Sequence, residues 1–168
     1  MQVPYVMTHT DEKLHKLLEK QDNGMLVTRG EDGRLRARPM AVAKLDEEDN
    51  LYFITALDSA KVSELAAEPD VNVAFIQPNR AVSIAGTAHV IQDRALVEQL
   101  WSKAFELWFP EGPKDPNVCV VVVHPEEGEY WDDKGLNRLK FAARAVKAFA
   151  SGERVEHDFS EHDKVKLV

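Results

Sequence analysis

The sequence holds a single cysteine, Cys119, and no uninterrupted apolar stretch long enough to cross a bilayer. An internal disulfide is thereby excluded, and so is a helical membrane span. Basic charge is also scarce: 21 Lys plus Arg stand against 29 Asp plus Glu, a formal net charge of -8. That balance argues against general affinity for nucleic acid or for anionic membrane surfaces. The six histidines form neither an H-E-x-x-H motif nor a Cys/His cluster, so no dedicated metal site is expected. A G-x-G-x-x-G loop is missing as well, which disfavours a Rossmann nucleotide site. The opening residues, MQVPYVMTHT, lack the basic-then-apolar plan of a secretory signal, and a cytoplasmic protein is expected.

What is present suffices for one domain, since 44% of the 168 residues are hydrophobic. That domain is expected over residues 1–150, followed by a polar tail over 151–168, SGERVEHDFSEHDKVKLV, which is expected to be dispensable for ligand binding. Leu14, Leu17 and Leu18 recur at helical spacing in DEKLHKLLEK and predict a short amphipathic helix over 11–20. From Gly24 the texture turns to strands: GMLVTRG, then the turn EDG with Gly33, a segment over 34–45, the turn DEEDN, and LYFIT. DSAKVSELAAEPD carries a cap, an apolar face and a proline stop, which predict a helix. VNVAFIQ and AVSIAGTAHVIQ predict two more strands across the turn PNR. Asp93 caps an expected helix RALVEQLWSKAFELW, with Leu96, Val97, Leu100, Trp101 and Phe105 on its apolar face. After the loop FPEGPKDPN come VCVVVVHP, a buried strand containing Cys119, and GEYWDD, a short last one. Antiparallel strands in meander order with short helices between them predict a mainly β (α+β) fold, an antiparallel barrel whose closure removes exposed edges.

Within this acidic chain, basic residues gather at two places. Strand alternation puts Arg34, Arg36 and Arg38 on one face. For Arg34 that face reads as a solvated edge. At Arg38 the following Pro39 changes the weighing, because proline is confined to strand edges and bulges and leaves backbone groups there free to meet a ligand. Ser59 and Lys61 stand where a helix begins, a place of unpaired amides and partial positive charge at which lysine is unfavourable unless an anion is near. S-x-K alone is a weak motif. Its force comes from following LYFIT, the strand that pairs with the Arg38 strand, so that one pocket holds Arg38, Ser59 and Lys61 together.

The order of GMLVTRGEDGRLRARPM, LYFITALDSAKVSELAAEPDVNVAF, VSIAGTAHVIQDRALVEQLW, WFPEGPKDP and EYWDD resembles the pyridoxamine 5'-phosphate oxidase-like flavoproteins, and in particular their general stress protein 26 branch. The resemblance spans about Asp22 to Asp132 and implies a split β-barrel with short flanking helices, working as a homodimer with FMN at its interface. It implies that Arg38, Ser59 and Lys61 hold the FMN phosphate, and that the backbone of Pro39, Met40 and Ala41 and of Ile54 and Thr55 lines the ring. Trp131 would approach from the partner subunit, with Gln77 as a further contact. Trp108 and Phe109, large apolar groups in a loop, are candidates to cover the ring or the substrate. Trp131 reads equally well as a dimer-interface anchor.

Such a flavoprotein needs no side-chain acid or base, because the chemistry is the cofactor's. No catalytic residue is therefore assigned. An FMN-dependent oxidoreductase acting on a small reductant or reduced cofactor is the first expectation. A flavin-storing or flavin-sensing stress protein without turnover is the second, and a barrel for FAD, a deazaflavin, haem or no ligand is the third. Pyridoxamine phosphate oxidation itself is not supported, since LWSKAFELWFPEGP does not reproduce that branch's Arg, Tyr and Ser set and NRLK at 137–140 carries Lys where it has His.

Overall fold

The computed structural model describes residues 9–132 and 161–167, with residues 146, 147, 150 and 152 between them. The chain begins with α1 (His9–Leu18), which buries Leu14, Leu17 and Leu18 against the sheet. Then follow β1 (Asn23–Arg29), β2 (Leu35–Leu45), β3 (Leu51–Ala56), α2 (Ala60–Ala67), β4 (Asp70–Gln77) and β5 (Arg80–Ile91). After α3 (Arg94–Leu100) come two short 3-10 turns, β6 (Val118–Asp132) and β7 (Glu161–Lys166). The NRLK segment at 137–140 lies outside the described residues. No helix among the described residues is long and apolar enough to cross a membrane.

The strands run antiparallel in the order β3-β2-β1-β4-β5-β6, and β6 pairs back onto β3 to close a six-stranded barrel. Period-two alternation fills it: Leu26 on β1, Val73 and Phe75 on β4, and Val82 and Ile84 on β5 point inward. The β1–β2 turn depends on Gly33, whose φ of +76° is costly for any residue with a side chain. Asp93 caps α3 as expected, accepting from the amides of Ala95 at 2.9 Å and Leu96 at 3.2 Å.

Two expectations need correction. The single helix expected over RALVEQLWSKAFELW ends at Leu100, because Trp101 is extended and Ser102 starts a new 3-10 turn, Lys103–Leu107, by accepting from the Ala104 amide. Trp101 still packs on Phe105 and Phe109, in a second small core under α3. The two strands expected at VCVVVVHP and GEYWDD are one strand, β6. Pro125 does not end it, because the register with β5 shifts at this point, between Ala85 and Gly86, and the irregularity accommodates the missing donor. One edge of β6 stays on β5, while the other serves β3 over Val118–Val123 and β7 over Glu127–Asp132. The stretch Glu161–Lys166, read from sequence as part of a polar tail, is strand β7 and buries Val165 in the main core.

A side chain at Gly86 would place its Cβ 2.0 Å from the His124 carbonyl oxygen, a backbone atom that cannot swing away. Gly86→Ala is expected to lower stability by about 1–3 kcal/mol, and urea denaturation checks it. An unchanged midpoint would show that the two strands cross less tightly than described.

Candidate functional site

The site grows from the end of β3. Thr55 is buried there, opposite Cys119 of β6. The chain then turns through Leu57 and Asp58, both held by Asn117: the Leu57 amide donates to its carbonyl at 2.6 Å, and Asp58 and Asn117 exchange hydrogen bonds at 3.1 and 3.0 Å. These bonds fix the start of α2. Ser59 takes the capping position, with extended backbone, yet its hydroxyl caps nothing. Its Oγ is buried and without a hydrogen-bond partner among the described residues. Unpaired buried polar atoms are rare, and this one lies beside free helix amides in a first turn that carries no acidic residue.

Lys61 reaches back to donate to Thr55 Oγ1 at 2.9 Å. Burial, and after it the positive charge of Arg38, push the Lys61 ammonium below the ordinary lysine range. The charge of Arg38 is thus felt at Lys61. Arg38 itself is held in place: its guanidinium donates to Thr28 Oγ1 and, at 2.8 Å, to Glu64 Oε2. Thr28 also donates to Glu64 Oε2, at 2.5 Å, which closes a ring of three hydrogen bonds. Arg36 approaches the other Glu64 oxygen at 3.9 Å and pairs with Asp32 through two contacts of 3.0 Å. The Thr28 hydroxyl, then Arg38 and Arg36, hold the buried Glu64 carboxyl below its usual range despite the cost of burial. Arg34 is exposed.

Pro39 lies on a stretch of β2 that pairs with β1 alone, since β3 joins β2 only from Val42 onward. The second edge of β2 over residues 35–41 thus has no strand partner among the described residues. Met40 is buried in the main core, and Ala41 packs with the buried Ile54 on the second core. Gln77 and Trp131 belong to another region. Gln77 donates to the Lys20 carbonyl at 3.4 Å, and Trp131, opposite Ala81, stacks on His162 of β7 with ring centroids 5.1 Å apart. Among the described residues, no hydrogen bond or ring contact joins this pair to the Arg38 cluster. Trp108 is 66% exposed, while Phe109 tucks under Trp101. Cys119 is buried, and desolvation pushes its thiol up to about 11, so it is an inert packing group.

Sequence reasoning missed Glu64 and Thr28, which position Arg38, and gave Thr55 only through its backbone, not as the hydroxyl that receives Lys61. The signal for Glu64 was its place three residues after Lys61, on the same helix face, in a region where alternating arginines needed a counter-charge.

The family model described as Pyridoxamine 5'-phosphate oxidase like matches residues 9–156. Protein bli-3 of Neurospora crassa is 28% identical over 135 residues, which cover 71% of this chain and 65% of that protein, so the chain spans less than two thirds of its relative. A solved structure described as general stress protein 26 of Jannaschia sp. CCS1 is 26% identical, with a TM-score of 0.71, covering 95% of this chain and 99% of that one. The pyridoxamine 5'-phosphate oxidase-related, FMN binding protein of Nostoc punctiforme PCC 73102 shares the fold at 19% identity, with a TM-score of 0.63, covering 75% of this chain and 85% of that one.

Glu64→Gln removes the only carboxylate that faces Arg38 among the described residues. Each charge-assisted hydrogen bond is worth about 1.5–3 kcal/mol, and a loss of that order is expected at neutral pH. Because the folded-state pKa of Glu64 is lowered, its contribution is full above the unfolded value near 4.5 and is lost as pH falls through the folded value. The gap between wild type and variant should therefore narrow in acid, which denaturation across a pH series measures.

Proposed function

The chain belongs to the pyridoxamine 5'-phosphate oxidase-like family, and from that premise we propose that it is an FMN-binding oxidoreductase of the general stress protein 26 type, active as a homodimer. The observation that carries the reading is the buried Ser59 Oγ, unpartnered among the described residues, at the start of α2 two residues before Lys61, whose ammonium feels the charge of Arg38. Such a group fits a phosphate: the hydroxyl and the first amides of α2 donate to its oxygens, and the two cations balance its charge. Arg38, Ser59 and Lys61 are its ligands in this reading. The open edge of β2 at Pro39, Met40 and Ala41 and the end of β3 at Ile54 and Thr55 line the ring. When bound, FMN supplies a ring that takes up and gives back a hydride.

A second copy of the chain completes the site. Gln77 and Trp131 stand apart from the Arg38 cluster, so in this reading they reach the flavin held by the other protomer. The outer face of the sheet supports such pairing, since Met25, Leu35 and Ile76 are 38%, 65% and 82% exposed on β1, β2 and β4. In this reading Trp108, exposed in its loop, covers the substrate, a small molecule or a reduced cofactor.

Riboflavin keeps the ring and lacks the phosphate, which makes it the control. Lys61→Ala and Arg38→Ala should each weaken FMN binding by about tenfold to a hundredfold, with riboflavin binding changed little. Because a bound phosphate favours the charged lysine, FMN affinity of the wild type should fall as pH rises through the depressed Lys61 pKa. Flavin fluorescence titration reads both effects. Equal loss of FMN and riboflavin in both variants would make these cations structural. Anaerobic mixing of the FMN-loaded protein with NADH or NADPH then separates turnover from storage, through bleaching of the flavin absorbance.

A further inference from the structure

α1 and the turn that follows it carry Lys13, Lys16 and Lys20 at spacings of three and four residues, on the side away from the buried Leu14 and Leu18. That face forms one wall of an open cavity of about 410 Å³, lined by these lysines, Glu12, Leu17, Arg80 and Asp132. Four cations thus meet two carboxylates in a chain whose net charge is -8. The β5–β6 register sets Arg80 opposite Asp132, and the Asp132 carboxylate holds Arg80 at 3.4 Å and Lys13 at 3.3 Å. Lys13 is steadied further by the Tyr130 ring, 5.1 Å from its centroid. Two cations are in this way fixed in the cavity, while Lys16 and Lys20 are exposed and form no ion pair among the described residues. A concave wall of net positive charge focuses its field, and 410 Å³ lies within the size range of small-molecule sites.

We infer that this groove between α1 and the β5–β6 edge binds the phosphate or carboxylate group of a small molecule. Its position gives that ligand a role. The Lys20 carbonyl accepts from Gln77, so the groove borders a residue that the flavin reading turns toward the partner's ring. The anionic group is then the handle of the substrate or reductant. This role rests on the flavin reading, whereas the binding of the anion does not.

The test uses the full chain, labelled with nitrogen-15 and loaded with FMN, titrated at low ionic strength with sodium pyrophosphate and, separately, with citrate. The amides of Glu12–Lys20 and of Arg80 should shift and saturate. Lys16→Glu/Lys20→Glu, which changes two exposed side chains, should weaken that binding by about tenfold or more and leave FMN affinity unchanged. Shifts with pyrophosphate alone assign a phosphate-bearing ligand, and shifts with both anions assign oxyanions generally. Absence of saturable shifts on α1 with either anion, or equal affinity in the double variant, would overturn the site. Repeating the titration without FMN keeps the two readings apart, since a chain that binds pyrophosphate on α1 and no FMN retains the groove and loses the flavin.

Discussion

The pairing of β3 with β6, from Leu51 opposite Val123 to Ala56 opposite Val118, closes the barrel and fixes where the site begins. Every β6 residue in that run is buried, so the strand has little freedom to slip: a shift of one residue would exchange the two sets of side chains that it buries. At the end of the ladder Asn117 holds Leu57 and Asp58, and Ser59 therefore starts α2 at a fixed place. Thr55, the next-to-last residue of β3, receives Lys61 from that helix. Barrel closure thus positions the proposed anion pocket through one short loop.

Burying a lysine near another cation has an electrostatic cost, from lost solvation first and the charge of Arg38 second, and the depressed Lys61 records it. Glu64 offsets part of it. One turn along α2 from Lys61, it holds Arg38 through a hydrogen-bonded ring with Thr28 and draws Arg36 near. A guanidinium oriented before a ligand arrives loses less entropy when it binds, the usual advantage of preorganisation. The same device recurs in the α1 groove, where Asp132 fixes Lys13 and Arg80. In both places an acidic residue sets the direction of cations that we propose as binding groups.

The barrel was legible because its strands alternate cleanly, as at Val73 and Phe75 or Val82 and Ile84, and because Gly33 and Asp93 mark a turn and a cap by their own chemistry. The continuity of β6 was not, since Pro125 and Gly128 look like strand ends until the partner strand supplies the register shift. β7 was illegible for a related reason: among its described side chains only Val165 is buried in the main core, and the strand exists because the lower half of β6 offers an edge. In the site, Lys61 stood out because it defies the helix dipole, whereas Glu64 looked like any solvated helix residue. Its burial is a property of how α2 packs on β1, which no local pattern states.

A crystal structure grown with FMN tests the central claim most directly. The account predicts the flavin phosphate within hydrogen-bonding distance of Ser59 Oγ and Lys61 Nζ, at the first turn of α2, with Arg38 beside it and still held by Glu64. A flavin phosphate seated elsewhere, with Ser59 Oγ still lacking a partner, would contradict it.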